Sequence, residues 1–335
     1  MITTGNKSNI PPKRKNVESS PFLNKVKNIS WKISRFILLF GMSYVIVYPL
    51  LYMVFRSFCS IDDIYDVTVK WIPKNFTFEN FIRVYKGINY PGVFLNSVLV
   101  SFGSSLLLLL PCSFAAYGLS RFKFRGRGIV FAFVLMTIVV PQQFFVLPSF
   151  LNFSYFNGFG IVPLINNLAS TQIRINLLDS FQVFWVPALF GSGIRSGLYI
   201  YIFVQFFKAL PKELEEASYV DGCGFTNTFF RIIVPSAIPV IVTVFLFSLV
   251  WHWNDYQLSS VLMPENRTIS STVVNLKNIL YQSDRTSGIE SMIDIGQILL
   301  DTQVANIFLV SPMVILYLVA QKFFTESIER TGLVG

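Results

Sequence analysis

At 335 residues, with 53% apolar and only 13% charged residues, the chain is too apolar for a water-soluble domain. Aromatics make up 16%, including 35 Phe, so the sequence is read against a bilayer, where about 20 apolar residues cross one hydrocarbon core. The net charge of +9 would suit nucleic acid, but the way it is spread along the chain follows membrane topology and excludes that reading.

Residues 1–35 form a polar, basic tail with eight Lys and Arg and with Pro11 and Pro12 near its start. Such a composition does not build a core, although 22–35 has the make-up of an amphipathic helix on an anionic membrane surface. A signal peptide is excluded, because the charged region is too long and no small-residue cleavage site follows the apolar run. The first transmembrane segment is 36–55, free of charge between Arg35 and Arg56. Further apolar blocks lie at 93–119, 128–151, 181–207 (interrupted by Arg195), 232–250 and 304–321. Helices buried on all sides read as continuous apolar runs, so length and absence of charge decide here, not periodicity. The expectation is an all-α membrane protein of six transmembrane helices. Five of these form a core over 93–324, with an extracellular loop at 257–303 and a short cytosolic tail at 325–335.

With the N-terminus inside, the cytosolic segments hold 17 Lys and Arg and the outer loops 9, leaving Arg195 in the membrane. The positive-inside bias therefore places both termini in the cytosol. It also places there the polar island 210–239, LPKELEEASYVDGCGFTNTFFRIIVPSAIP. Pro211 suits the first position of a helix, Glu213, Glu215 and Glu216 favour the positive end of its dipole, and Gly222 can end it in the left-handed conformation. A second helical run, 225–234, leads to Pro235. A polar helix–glycine–helix unit cannot lie in lipid and should rest against something on one membrane face.

This stretch resembles the signature of ABC-importer permeases. In that pattern Glu-Ala-Ala is followed after three residues by Gly, and nine residues later by Ile, any residue, Leu and Pro. The matching residues are Glu216, Ala217, Ser218, Gly222, Ile232, Val234 and Pro235, with Ser218 in place of Ala and Val234 in place of Leu. Asp221 and Pro239 fit the sugar-transporting branch. Other segments are similar to that family too: SRFKFRGRG (120–128) between the second and third spans, WIPKNFTFENF (71–81) leading into a scaffold helix, and the polar turn PENRT (264–268). The ending QKFFTESIERTGLVG (321–335) resembles that of the shorter, maltose-type six-span subunit. Beyond the PENRT turn, 275–302 is longer than expected for the family, which suggests contact with an external partner.

The resemblance implies a type I ABC importer permease fold in a bacterial plasma (inner) membrane. The coupling loop lies at 210–235, and its 212–223 portion docks on a cytosolic ATPase dimer. Glu216 and Asp221 would hold the loop or touch the ATPase, with Ala217 and Ser218 beside them; Gly222 would permit the bend and Pro235 mark re-entry to the membrane. The implied partners are a second homologous permease, the ATPase, an extracellular sugar-binding protein, membrane lipid and a carbohydrate substrate. ATP would be bound by partner subunits, so the chain itself needs no cofactor.

A catalytic reading fails on inventory. The sole histidine, His252, excludes a two-histidine zinc site, and no Gly-x-x-x-x-Gly-Lys-Ser/Thr loop is present to bind ATP. Cys59, Cys112 and Cys223 have neither pairing logic nor metal-ligand spacing. For the substrate path the candidates are Arg195, Trp251, Asn254 and Asp255. A charge inside an apolar segment is costly and faces a bundle interior, so Arg195 either lines the translocation cavity or snorkels from a span that starts late, near Ile194. WHWNDY (251–256) resembles the family's Trp-Asn-Asp segment. Aromatic faces and the polar groups of Asn254 and Asp255 suit sugars, so these two take either a structural or a cavity role, whereas Trp253 or Tyr256 suits an interfacial aromatic belt. In maltose-type relatives the companion permease supplies most sugar contacts. Two alternatives stand beside the sugar importer: a permease for a peptide or polyamine, and a non-transport membrane scaffold or enzyme.

Overall fold

The charge-free run expected to span at 36–55 lies inside one 37-residue helix, α1 (Pro21–Ser57). The computed structural model describes residues 21–169, 172, 174–281 and 294–332; most of the basic tail, the middle of the 275–302 segment and the last three residues lie outside them. The described residues up to Tyr52 form one unit, and those from Met53 onward a second. In the first unit the apolar side chains from Phe36 to Leu51 are exposed, as suits a helix surrounded by lipid.

From Met53 onward, regular structure among the described residues is helical. Two short helices, α2 (Ile61–Tyr65) and α3 (Glu79–Gly87), lead to the 32-residue α4 (Tyr90–Arg121). The next block is split into α5 (Arg127–Val139) and α6 (Gln143–Ser154), which meet at 101°. Pro141 lies in that break; it holds Val140 in an extended conformation and offers no N–H to continue a helix. After α7 (Ile161–Ala169) the block expected at 181–207 is broken as well, into α8 (Gln182–Leu189) and α9 (Ser196–Ala209). Gly191 and Arg195 both have positive φ in the intervening turn.

The polar island forms α10 (Glu213–Val220) and α11 (Phe225–Thr228), continued by a π-helical turn, Phe229–Ile233, and by α12 (Val234–Ser236). A 76° bend then leads into α13 (Ile238–Asn254). The helix thus runs through Pro235, expected to mark re-entry, and breaks at Ala237. The ring of Pro239 obstructs the carbonyl four residues back, so the break falls between the two prolines. Three short helices follow, α14 (Gln257–Leu262), α15 (Ile269–Val274) and α16 (Leu276–Tyr281), and then the 38-residue α17 (Ile295–Gly332). Three helical stretches, Asn28–Ser57, Tyr90–Arg121 and Ile295–Gln321, are long and apolar enough to cross a membrane, and the two bent pairs bring the number to five. The block expected to cross at 181–207 holds α8 and α9, of 8 and 14 residues, each shorter than a full crossing.

α4 is the axis of the second unit. Its buried face is rich in small hydroxyl residues, Ser97, Ser101, Ser104, Ser105 and Ser113, which let neighbouring helices approach closely. Leu108, Cys112 and Tyr117 pack with Tyr199, Phe203 and Phe207 of α9, and with Phe229, Ile233 and Val244 from the arm leading through α13. At the other end of α4, Val93 joins α3, α15, α16 and α17 through Val84, Ile269, Leu276 and Val304. Trp253 is buried in this second cluster, 3% exposed, and its indole N–H donates to the Leu309 carbonyl at 3.0 Å. It is therefore a core residue and not part of an interfacial belt, because α17 covers it; Tyr256 stays 45% exposed. The same end is tied by Arg83, whose guanidinium meets the fully buried Asp301 at 2.7 Å, while Tyr281 donates to Asp301 at 2.6 Å. Burial, then the Asp301 bond, pushes the Tyr281 phenol above its ordinary pKa.

Candidate functional site

Two places gather the residues expected to matter, the polar island and a cavity between the broken helices. In the island, α10 starts at Glu213, two residues later than Pro211 suggests, and the Lys212 carbonyl accepts from the Glu215 and Glu216 N–H groups at 3.0 and 3.1 Å. Its end is a Schellman motif. The Gly222 N–H donates to Tyr219 O at 3.1 Å and the Cys223 N–H to Ser218 O at 3.0 Å, with Gly222 at φ +79°. A Cβ added at Gly222 would meet nothing within 4 Å, so conformation and not space requires glycine there.

Two buried contacts fix this helix to the membrane arm. The Arg121 guanidinium of α4 forms an ion pair with Glu215 at 2.7 Å, both side chains nearly buried, and also donates to the Leu210 carbonyl at 2.8 Å. Ser218 and Thr228 hydroxyls meet at 2.8 Å, joining α10 to α11. Aromatic packing extends the joint: Phe114 stacks on Phe229 at 4.4 Å, and Phe225 sits 5.5 Å from Tyr117 and 5.3 Å from Phe122. Glu216, Ala217, Asp221, Gly222 and Pro235 lie on the exposed side, with Val220 87% exposed among them. Within the signature the structure thus turns Ser218 inward, beside the buried Glu215 that precedes the signature, and leaves Glu216, Ala217, Asp221, Gly222 and Pro235 outward.

The cavity, of about 630 Å³, opens where α5–α6 bends and α8–α9 breaks. Backbone that leaves helical geometry at membrane depth survives only when it is buried or lines such a space. Arg195 lines the cavity as the left-handed residue before α9, with its guanidinium carbon 4.4 Å from the Trp251 ring centroid. The helix does start late, next to Ile194, and Arg195 lines the cavity. Asn254 and Asp255 are not among its lining residues. The Asn254 amide donates to Val250 O on its own helix at 2.9 Å. The Asp255 carboxylate accepts from Gln142 at 2.9 Å and from the Ser259 N–H at 3.0 Å, so it pins the α5–α6 bend to the start of α14.

His252, set aside on the sequence for want of a second histidine, lines the cavity and is 2% exposed. Asp179 also went unnoticed: its carboxylate accepts from the N–H groups of Glu265 and Asn266 at 2.9 and 3.0 Å, which shapes the PENRT turn. Arg121 has a visible signal, its place in the Ser-Arg-Phe loop. Asp179 and Thr228 had none, because their partners lie far off in sequence or across a turn.

Comparison with known proteins agrees with this architecture. Residues 108–330 match the family described as "Binding-protein-dependent transport system inner membrane component". The chain is 28% identical over 306 residues to the probable ABC transporter permease protein YurM of Bacillus subtilis, covering 90% of this chain and 88% of that protein. It is 25% identical to the melibiose/raffinose/stachyose import permease protein MelC of the same organism, over 81% and 86% of the two chains. The galactooligosaccharides transport system permease protein GanQ, also from Bacillus subtilis, is 24% identical over 93% and 98%. The crystal structure of a bacterial ABC transporter involved in alginate import contains a similar fold, with a TM-score of 0.63 at 21% identity, over 89% of this chain and 98% of that one. With two thirds of its length matched by one family model, and its helices arranged as in a solved importer, this chain belongs to the family of inner membrane components of binding-protein-dependent transport systems.

Proposed function

We infer that the chain is a transmembrane permease of a bacterial ATP-driven oligosaccharide importer. It forms the translocation path with a second permease and moves with a cytosolic ATPase dimer through 212–223. A sugar-binding protein delivers the substrate outside, and both termini face the cytosol. The observation that carries this reading is the polar unit itself. A short helix, closed by a glycine Schellman motif, presents Glu216, Ala217 and Asp221 outward, while Glu215 and Ser218 tie it to α4 and α11. The relatives named for melibiose, raffinose, stachyose and galactooligosaccharides supply the substrate class.

Mechanically, a push on α10 has two rigid outlets. One runs through Arg121 into α4, the other through Thr228 and the π-helical turn into α13. These helices flank α9 in the core, so motion of the ATPase is passed on as rocking of the walls around the cavity. The role of the chain is that of a permease, with ATP hydrolysis carried by its partner.

The test is uptake of labelled oligosaccharides by cells expressing the complete importer, alongside ATPase activity of the purified complex. Gly222→Asp puts a side chain at φ +79° and a charge on the exposed face. It is expected to abolish uptake while the chain still co-purifies with a second permease. Normal uptake by that variant, or purification of the wild-type chain without an ATPase, would overturn the reading.

A further inference from the structure

The cavity between the broken helices holds an unmatched pair of hydrogen-bonding groups. His252 Nδ1 lies 2.8 Å from the Ser248 carbonyl oxygen. A carbonyl only accepts, so Nδ1 carries the proton and Nε2 is left as a bare acceptor. That Nε2 is buried and has no partner among the described residues, and neither has the buried Nε–H of Arg195, which lines the same cavity. A buried acceptor and a buried donor, each unsatisfied, destabilise the empty state. Lipid tails offer neither group with a match.

The remaining walls are aromatic and polar by turns, with Phe145, Phe153 and Phe184 beside Ser149 and Asn152. The volume falls within the range of sites that hold small organic ligands. A polyhydroxylated ring complements all of these features. One hydroxyl donates to His252 Nε2, an electron-rich oxygen accepts from Arg195, and the C–H face lies on the phenyl rings. Trp251 braces the guanidinium from behind. We propose that this cavity is a saccharide subsite within this permease itself, with His252 and Arg195 as its selecting groups. The proposal rests on the importer reading above.

The test is saturation-transfer NMR on the complete importer in detergent, without its binding protein, using raffinose, diacetylchitobiose and an alginate trisaccharide as separate probes. Wild-type protein is expected to give transfer to at least one of them. His252→Phe should weaken that binding about tenfold, the loss of one buried hydrogen bond, and His252→Gln, which restores an acceptor, should recover most of it. Arg195→Met separates the ligand chemistries: a neutral sugar loses about tenfold, whereas a uronate loses about a hundredfold with its charge partner. Ser149→Phe fills the cavity from α6 and should abolish transfer; it carries the test if the His252 variants fail to assemble. Transfer to no probe, or wild-type binding by both His252→Phe and Ser149→Phe, would overturn the subsite. Uptake by the wild-type importer with its binding protein, run in parallel, tells the two failures apart: uptake without transfer refutes the subsite alone, while no uptake of any saccharide refutes the importer reading too.

Discussion

The Ser218 and Thr228 hydroxyls meet at 2.8 Å in a joint where both side chains are buried. This contact gives a physical meaning to the one position inside the Glu-Ala-Ala element where the chain departs from the family pattern. An alanine could not make it. The two residues belong to different helices, so the bond closes the angle between α10 and α11 and does not stiffen either one alone. Thr228 has a second partner, the Gly224 carbonyl at 3.2 Å, whereas among the described residues no second side-chain bond is seen for Ser218.

That asymmetry gives the first prediction. Thr228→Val keeps the shape but leaves the Ser218 hydroxyl without its partner, at a cost of about 1–3 kcal/mol. Ser218→Ala removes the group itself and should cost about 1 kcal/mol or less, since Thr228 keeps its carbonyl. Limited proteolysis across 219–226 is expected to speed up markedly in Thr228→Val and little in Ser218→Ala, with sugar uptake per ATP falling in the same order. Equal effects of the two variants would show that the hydroxyl pair does not hold the joint.

The second prediction concerns Arg121 and Glu215. Removing one member of a buried ion pair leaves the other charge uncompensated, typically at about 3–5 kcal/mol. Glu215→Ala is therefore expected to lower the yield of assembled importer sharply. The double variant Arg121→Met with Glu215→Leu removes both charges, keeps similar volume, and should recover much of that yield. Its uptake is expected to stay low, because the Leu210 carbonyl also loses its donor from Arg121. Thermal unfolding of the purified complexes measures the first effect and labelled-sugar uptake the second.

The sequence made the helical membrane class and the polar island legible because both follow from chain-local chemistry. Charge-free length marks a span, and glutamates followed by glycine mark a helix and its stop. It did not disclose how blocks divide inside the membrane, since Pro141 and the Gly191–Arg195 turn break helices without breaking the apolar run. It was also silent wherever a role depends on a distant partner. Trp253 looked like a belt residue until Leu309, 56 positions away, accepted its indole N–H. Asp255 reads as either a structural or a cavity residue, and its carboxylate accepts from Gln142, 113 positions away. His252 carries no metal-site spacing, and only the cavity beside it gives its free nitrogen a possible use.

The third prediction follows from Asp255. Its two carboxylate oxygens each accept one buried bond, from Gln142 and from the Ser259 backbone. Hydrogen bonds to a charged group contribute about 1.5–3 kcal/mol apiece. Asp255→Ala should therefore lower the unfolding temperature of the complex clearly. Discrimination among oligosaccharides by the surviving folded fraction should stay as in wild type. A changed sugar preference at unchanged stability would assign Asp255 to the substrate path instead.

The fourth prediction tests how closely α5 and α9 must approach. A Cβ at Gly197 would stand 2.0 Å from the Thr137 hydroxyl oxygen and 2.9 Å from the Val134 carbonyl oxygen. The first contact involves a side chain that can rotate away, although Thr137 would then give up its bond to Val134 O at 2.7 Å. The second is backbone and cannot yield without moving α5. Overpacking of this kind costs about 1–3 kcal/mol, so Gly197→Ala should reduce the thermal stability of the complex. Adding Thr137→Ala relieves the side-chain clash only, and is expected to restore part of the loss. Full restoration would mean that the hydroxyl alone set the spacing; no restoration would place the whole constraint on the Val134 carbonyl, and hence on the helix axes. Because both residues line the cavity, the single variant should also widen it by displacing α5, and uptake of longer oligosaccharides should then fall less than uptake of shorter ones.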